Sequence, residues 1–187
     1  CWRYRPRRKY HPVFCNPDGC LRSHKRFRKS WPKSGGFADL RILSGFYGIL
    51  KPFDGVTPYR LEMQAKLAIG PHKDLYGLWS NSIAQTAIGD AKCVINLASK
   101  EYSQSVSGYL PQSVRFITCV FGEWKDGKIV EKGTICKMAR GEMVRFLAEN
   151  QIEDPEEIKA FSHLQYRYSA EHSDENTFVF LLQKGSA

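Results

Sequence analysis

Three stretches of this 187-residue chain set charged and aromatic side chains among residues that constrain the backbone. The first is Ser44–Met63, where glycines and prolines separate two tyrosines, two cations and two carboxylates. The second is Asn96–Tyr102, which follows a nearly continuous apolar run, and the third is Cys136–Arg145, which holds three basic residues. Loops of such composition commonly carry binding groups on a rigid scaffold. We therefore expect the ligand-binding chemistry of the chain in these stretches.

The chemistry that these residues favour is the binding of an anion. Lys137 and Arg140 could converge on a phosphate or a carboxylate, because ammonium and guanidinium groups form charge-assisted hydrogen bonds with oxyanions. Asn96 lies in an apolar run and must find hydrogen-bond partners, and ligands bind past the carboxyl ends of buried strands in α/β sheets. Each stretch also has a structural interpretation: ion pairs inside a loop, an N-cap at Ser99 before an exposed helix face, and a solvated charged face.

Common catalytic and metal-binding patterns are missing from the sequence. It contains no Gly-x-Ser-x-Gly, P-loop, Gly-x-Gly-x-x-Gly or His-Glu-x-x-His motif. Cys15, Cys20 and His24, with His11 nearby, could supply four zinc ligands, but the usual Cys-x2-Cys spacing is absent. We therefore predict neither a cofactor nor a metal site, and the sequence favours a function other than catalysis.

The positive charge of the chain is confined to its beginning. Residues 1–36 hold eleven Lys and Arg and one acid, whereas the remainder has a net charge of −1 out of the total of +9. The same segment has four prolines and no hydrophobic periodicity. We therefore predict two regions: a basic, aperiodic tail over 1–36, either disordered or not native, and a folded domain over 37–187.

The folded region is predicted to be α/β, with α+β as the alternative, and to contain a mixed sheet flanked by helices. No apolar run is long enough to predict a membrane span. The body cysteines Cys93, Cys119 and Cys136 are predicted to be buried small hydrophobes. The predicted strands are Leu40–Ser44, Cys93–Ala98, Arg115–Phe121, Lys128–Cys136, Gln165–Tyr168 and Thr177–Gln183, and the predicted helices are Lys73–Ile88, Ser99–Val106, Arg140–Asn150 and one beginning at Asp154.

Four segments in the same order resemble the YaaA family of peroxide-stress proteins. They are LRILSGFYGILKPFDGVTPYRLEM, KDLYGLW, VINLASKEY and KMARGEMVRFLAEN, and the likeness runs from about Leu40 to Gln183. The resemblance implies a cytoplasmic bacterial protein that keeps unincorporated iron low, limits peroxide damage and binds DNA through a basic cleft. It brings no established reaction with it.

The resemblance also implies which residues face that cleft. Lys51, Arg60, Lys137 and Arg140 would contact phosphate, positioning DNA rather than distinguishing bases. Tyrosines of the matching motifs could stack or hydrogen-bond at the same cleft. The polar and aromatic candidates are Tyr47, Asp54, Tyr59, Glu62, Asn96, Ser99, Glu101 and Tyr102.

The chain departs from the family pattern in three places. Gln64 follows the YRLEM motif where a glycine is usual, and Ser80-Asn81 follows Trp79 where Gly-Asp is common. The N-terminal half of the family, with its helix-hairpin-helix element, has no counterpart, so we expect an incomplete YaaA-like fold. The tail is then either a basic arm that binds nucleic acid or an unselected translation, and the abrupt change in composition favours the second.

Three functions follow from this sequence. The first is a truncated YaaA-type protein of the peroxide response, with DNA as a partner and no membrane association. The second is an enzyme that acts on a phosphorylated or nucleobase-like substrate in the same cleft, and the third is an inactive fragment. If the three stretches lie far apart in the structure, both of the first two hypotheses fail. Convergence in a deep closed pocket would favour the enzyme, whereas an open groove would favour DNA.

Overall fold

The structure is a computed structural model that describes residues 39–183 and the backbone of Val13–Cys15. The strands are β1 (Val13–Cys15), β2 (Leu40–Ser44), β3 (Gly48–Leu50), β4 (Cys93–Asn96), β5 (Arg115–Lys125), β6 (Lys128–Val130), β7 (Tyr166–Tyr168) and β8 (Thr177–Leu182). The helices are α1 (Leu75–Trp79), α2 (Ser82–Ile88), α3 (Lys100–Ser107) and α4 (Gly133–Glu149), followed by a 3₁₀ helix over Pro155–Ala160.

The strands form one mixed sheet with parallel strands at its centre. Its order is β3-β2-β1-β4-β5-β8-β7, and β6 pairs with β5 outside this path. Strands β2, β1, β4, β5 and β8 run parallel, while β3, β6 and β7 are antiparallel to their neighbours. The predicted α/β class with a mixed sheet and flanking helices is therefore confirmed.

Helices cover both faces of the sheet. On one face, which we call the α4 face, Cys136 and Met143 of α4 pack in one cluster with Ile95 and Ile117. On the other face, which we call the α1–α3 face, residues of all three short helices pack against Val94 of β4 and its neighbours in the sheet. Successive residues of a strand point to opposite faces, so β4 is covered on both sides, as its apolar run predicts.

The helix predicted over Lys73–Ile88 is wrong as a single element. It consists of α1 and α2, separated at Ser80, whose φ of 44° lies outside the helical range. The Asp74 carboxylate accepts a hydrogen bond from the Gly77 N–H at 2.8 Å and caps α1. The break sends Trp79 towards the β2–β3 turn while α2 packs separately, which a helical repeat alone does not reveal. Gly89 ends α2 as expected, with a φ of 51°.

The strand predicted over Lys128–Cys136 is also wrong beyond Val130. The hairpin itself is confirmed, since Asp126 and Gly127 both have positive φ and connect β5 to β6. The chain then enters α4 at Gly133, so Cys136 is a helical residue. Buried residues at 136, 139, 140, 143 and 144 have helical spacing, and this burial overrides the short β-type run that precedes them.

The three body cysteines are buried, as predicted, and each is a free thiol. Burial raises the pKa of each of them, and it raises the pKa of Cys119 to about 12. No helix in the part of the chain that the structure describes is both long and apolar enough to cross a membrane.

Only β1 is described from the predicted tail. It lies between β2 and β4 and is parallel to both, with Val13 paired to Leu40 and to Ile95. The boundary between 1–36 and 37–187 therefore stays a prediction, and removing the whole of 1–36 would remove a central strand. The zinc-ligand candidates His11, Cys20 and His24 lie outside the described residues, as does the side chain of Cys15.

Candidate functional site

Two buried polar residues lie at the carboxyl ends of the parallel strands. From β1 the sheet extends to β2 on one side and to β4 on the other, so the strand order reverses between β1 and β4. Ligands of open α/β sheets bind at such a reversal, outside the carboxyl ends of the strands. Ser44 ends β2 and Asn96 ends β4, and both side chains are buried.

The β2–β3 turn holds the densest polar network of the candidate site. The hydroxyls of Ser44 and Tyr59 lie 2.5 Å apart, and the Ser44 hydroxyl also accepts a hydrogen bond from the Tyr47 N–H at 2.9 Å. The Tyr47 hydroxyl lies 2.8 Å from that of Thr57 and accepts from the Thr57 N–H at 3.0 Å. The side-chain contact with Thr57, followed by this N–H, lowers the pKa of the Tyr47 phenol. The turn and the loop after β3 are thus tied together.

Three rings pack at this turn, and we call Phe46, Tyr47 and Tyr59 the aromatic cluster. The Phe46 and Tyr59 centroids lie 5.3 Å apart with the rings 32° from parallel, whereas Tyr47 meets both rings nearly edge to face. Phe46 is nevertheless 55% exposed. The cluster therefore presents an aromatic surface to solvent.

Glycines and a tryptophan fix the position of the turn. A Cβ at Gly45 would lie 2.8 Å from the Leu61 carbonyl oxygen, so a larger residue would push the returning loop away. Gly48 has a φ of 71°, and a Cβ there would lie 2.8 Å from the Trp79 ring. The Trp79 indole N–H donates to the Gly45 carbonyl at 3.0 Å. Helix α1 thus clamps the turn from the α1–α3 face.

The charged candidates of the same loop are exposed. The Asp54 carboxylate accepts a hydrogen bond from the Lys51 N–H at 2.8 Å, which closes a turn after β3 and leaves the Lys51 ammonium in solvent. Arg60 directly follows Tyr59 and is exposed, as is Glu62. Lys51 and Arg60 are therefore accessible to a ligand without any rearrangement of the loop.

The second stretch contacts Gln64, the residue that follows the first stretch. The Gln64 N–H donates to a Glu101 carboxylate oxygen at 3.4 Å, and the Tyr76 hydroxyl donates to the Glu101 carbonyl at 2.8 Å. Burial, and then the Glu101 carboxylate, raise the pKa of Tyr76. Ser99 occupies the N-cap position of α3, as predicted, although its side chain makes no capping hydrogen bond. Tyr102 is partly buried among the α1–α3 face residues.

Asn96 is 2% exposed and its amide has protein partners. Its NH₂ group donates to the Thr118 hydroxyl at 3.2 Å, and its oxygen accepts from the Ala98 N–H at 3.0 Å. Because Asn96 alternates with Ile95, its side chain lies on the α1–α3 face. These contacts order the chain where β4 ends, which is a structural role whether or not a ligand also binds there.

Arg140 approaches the sheet from the other face. It is 9% exposed, its guanidinium donates to a Glu131 carboxylate oxygen at 2.6 Å, and its Nε is buried without a hydrogen-bond partner in the described part of the chain. Lys137 lies one turn earlier on α4 and is partly buried. Asn96 and Arg140 thus lie on opposite faces of the sheet.

Several residues of the site were not predicted from the sequence. Ser44 links two tyrosines, Phe46 provides the exposed ring, and Glu131 neutralises Arg140. A polar residue closing the otherwise apolar LRILS run was a usable signal for Ser44. Glu131 had none, because its pairing depends on where α4 begins. Among residues 39–183, His, Cys, Asp and Glu side chains form no group of three that could hold a metal ion.

Comparison with known proteins supports the resemblance to the YaaA family. The family model described as peroxide stress protein YaaA matches residues 37–172. A UPF0246 protein of Desulfitobacterium hafniense is 55% identical over 142 residues, which cover 76% of this chain and 57% of the relative. UPF0246 proteins of Agathobacter rectalis and Lactiplantibacillus plantarum are 53% and 50% identical, over 75% and 78% of this chain and 57% and 59% of their own lengths. The chain thus spans less than two thirds of these relatives.

Proposed function

We propose that the surface around the β2–β3 turn binds DNA. The chain belongs to the family of peroxide stress protein YaaA. The observation that carries this proposal is the exposure of Lys51 and Arg60 on a loop tied to the carboxyl end of β2. Exposed cations on a fixed loop can neutralise phosphates at little cost in desolvation. We refer to the loop residues 45–62 as the turn surface.

The buried cation is a weaker candidate for phosphate contact. Arg140 already pairs with Glu131, and an incoming phosphate would have to displace that carboxylate. Removing the carboxylate partner of a largely buried guanidinium leaves that charge without compensation, which is costly. We therefore propose that Arg140 positions the start of α4, whereas Lys51 and Arg60 contact DNA.

The geometry favours binding over catalysis. The alternative of an enzyme acting on a phosphorylated or nucleobase-like substrate would gain from one pocket that unites all three stretches. Asn96 and Arg140 instead approach from opposite faces of the sheet, and the most exposed candidates lie on the turn surface. An open surface suits an extended polymer such as DNA better than a small substrate that must be enclosed.

The test is the salt dependence of duplex binding, measured by fluorescence anisotropy on the full chain. Each phosphate contact contributes about 0.9 to the slope of log K against log salt, so Arg60→Ala should weaken binding and lower the slope by roughly one. Lys92→Ala is the matched control, because Lys92 is an exposed cation that precedes β4, at the amino ends of the parallel strands. Equal effects of the two substitutions would refute the proposal.

The basic N-terminal segment needs a separate control. A deletion of 1–36 is unsuitable because it removes β1, so the charges of Arg5, Arg7, Arg8 and Lys9 are replaced by glutamine instead. The proposal expects this variant to retain duplex binding that still depends on Arg60. Binding that disappears in it, while Arg60→Ala has no effect, would assign DNA binding to the segment.

In the cell, we propose a cytoplasmic role in the peroxide response that limits damage driven by unincorporated iron. DNA bound at the turn surface would be the molecule protected. In a bacterial strain that lacks its own family member, expression of this chain should raise survival in hydrogen peroxide, and Arg60→Ala at equal abundance should not. Equal survival with wild type and with Arg60→Ala would show that peroxide protection does not depend on DNA binding by Arg60.

A further inference from the structure

We propose that Met138 is a reversible oxidation site, at which a hydroperoxide converts the thioether to a sulfoxide and a methionine sulfoxide reductase restores it. The inference does not depend on DNA binding at the turn surface. It begins from the position of Met138 on α4, where the residue is 50% exposed. Because the family is described by peroxide stress, hydrogen peroxide is the oxidant that we consider.

The other methionines of the chain are shielded from solvent. Met63 and Met143 are both 0% exposed. Met143 lies on the same helix as Met138, and a separation of five residues places their side chains about 140° apart around the helix axis. Met143 therefore packs in the core of the α4 face, while Met138 projects into solvent. The fold thus exposes one thioether and protects the other two.

The thiols that the structure describes are poor competitors for the oxidant. Thiolate rather than thiol reacts with peroxide, and burial raises the pKa of Cys93, Cys119 and Cys136. The Cys136 thiol also donates to the Phe121 carbonyl oxygen at 2.8 Å. A thioether has no proton to lose, so its reactivity depends on exposure rather than on a pKa. Among residues 39–183, Met138 is therefore the sulfur best placed to react.

The oxidation step needs only the thioether and a hydroperoxide. The sulfur lone pair attacks one peroxide oxygen, a sulfur–oxygen bond forms and the oxygen–oxygen bond breaks. The sulfur is oxidised and hydrogen peroxide is reduced to water, because the departing hydroxide takes the proton of the transferred hydroxyl group. In the return step a reductase dithiol supplies the electron pair and becomes a disulfide, and the sulfoxide oxygen leaves as water.

The surface position of Met138 allows both steps on the folded chain. Long helical side chains lean towards the N-terminus of their helix, so Met138 extends towards Ile135, which lies one turn earlier and is 38% exposed. A sulfoxide at Met138 adds a polar group at the surface, whereas a sulfoxide at Met143 would place one in the core. Oxidation of Met138 should therefore leave the fold intact and the sulfoxide accessible to a reductase.

The experiment treats the full chain with hydrogen peroxide in the presence of a chelator, removes the excess with catalase, and measures the sulfoxide at each methionine by peptide mass spectrometry. We expect Met138 to be oxidised at least about tenfold faster than Met63 and Met143, whose thioethers react only when the structure opens locally. In urea the three rates should become equal. Reductases for the two sulfoxide epimers, added to the oxidised native chain, should restore Met138.

The urea midpoint of the oxidised chain shows whether the modification stays at the surface. It should equal that of Met138→Leu treated with peroxide in the same way, a comparison in which damage at other residues cancels. Equal oxidation rates at the three methionines of the native chain would overturn the inference, as would sulfenic acid on Cys93, Cys119 or Cys136 before sulfoxide at Met138. A Met138 sulfoxide that the reductases restore only in urea would also overturn it.

Discussion

Substituting Gly48 with alanine should destabilise the chain through two separate effects. A residue other than glycine at a φ of 71° costs about 1–2 kcal/mol because Cβ meets the backbone. The new Cβ would also lie 2.8 Å from the Trp79 ring, and forcing such a contact typically costs about 1–3 kcal/mol. We therefore expect a total loss of about 2–5 kcal/mol in the free energy of unfolding.

Two other glycines separate these effects. Gly127 of the hairpin turn also has a positive φ, of 75°, but no atom lies within 4 Å of its Cβ position, so Gly127→Ala should cost only the backbone share of about 1–2 kcal/mol. Gly55 has open space and an ordinary φ, and Gly55→Ala should change stability by less than about 0.5 kcal/mol. The difference between the first two variants isolates the contact with Trp79.

The assay is urea unfolding of the full chain, followed by circular dichroism so that the signal does not depend on tryptophan. The three midpoints should fall in the order Gly48→Ala, Gly127→Ala, Gly55→Ala, from lowest to highest. If Gly48→Ala is no less stable than Gly127→Ala, then Trp79 does not cover Gly48 and the turn is not rigid.

Three further predictions concern other parts of the molecule. Asp154→Ala removes the oxygen that accepts a hydrogen bond from the Glu156 N–H at 2.9 Å and should cost about 1 kcal/mol in urea unfolding, whereas Asp154→Asn should retain most stability; equal losses in both would contradict a capping role. Lys159 lowers the pKa of the Glu156 carboxyl, so the stabilisation from this ion pair is present above the ordinary pKa of 4.5 and is lost as pH falls through the lower pKa of the folded state. The difference in unfolding free energy between wild type and Glu156→Gln should therefore shrink on acidification, and a difference that grows would contradict the assigned sign. Cys119, with its pKa raised to about 12 by burial, should be alkylated in mild alkali roughly a thousandfold more slowly than a thiol of pKa 9.0, as measured by peptide mass spectrometry; labelling at the rate of the unfolded chain would disprove its burial.

The parts of the fold that the sequence predicted correctly depend on local signals. The apolar run at Cys93 predicts a strand covered on both faces, and Asp126-Gly127 predicts the hairpin because both residues tolerate positive φ. Asp154 before Pro155 predicts the start of a helix, which the structure gives as a 3₁₀ helix. Each of these signals is complete within a few residues, so no distant contact is needed to interpret it.

The errors arise where distant contacts decide local structure. The break at Ser80 follows from packing Trp79 over Gly48, which is 31 residues earlier in the chain. The start of α4 at Gly133 depends on burying one face of that helix against β5. Pairing with β2 and β4 decides the position of β1, inside a segment whose composition suggests no strand. Pattern reasoning along one segment cannot supply such information.

The candidate site, like the fold, was only partly predictable from the sequence. The motifs around Tyr59 and Arg60 direct attention to one loop, but the sequence does not distinguish exposed cations from buried ones. Arg60 is in solvent, whereas Arg140 is buried against Glu131, because the second residue lies on the helix face that packs on the sheet. The sequence carries no signal for the exposure of Phe46, because an aromatic residue beside a strand is ordinarily expected in the core.

Photocrosslinking tests most directly whether DNA meets the turn surface. A duplex in which 5-iododeoxyuridine replaces thymidine would be irradiated with the full chain, and the adducts mapped by mass spectrometry. Our account predicts adducts on peptides of the turn surface, which decrease in Arg60→Ala and persist when the basic residues at 5, 7, 8 and 9 are neutralised. Adducts confined to residues 1–36 would contradict it.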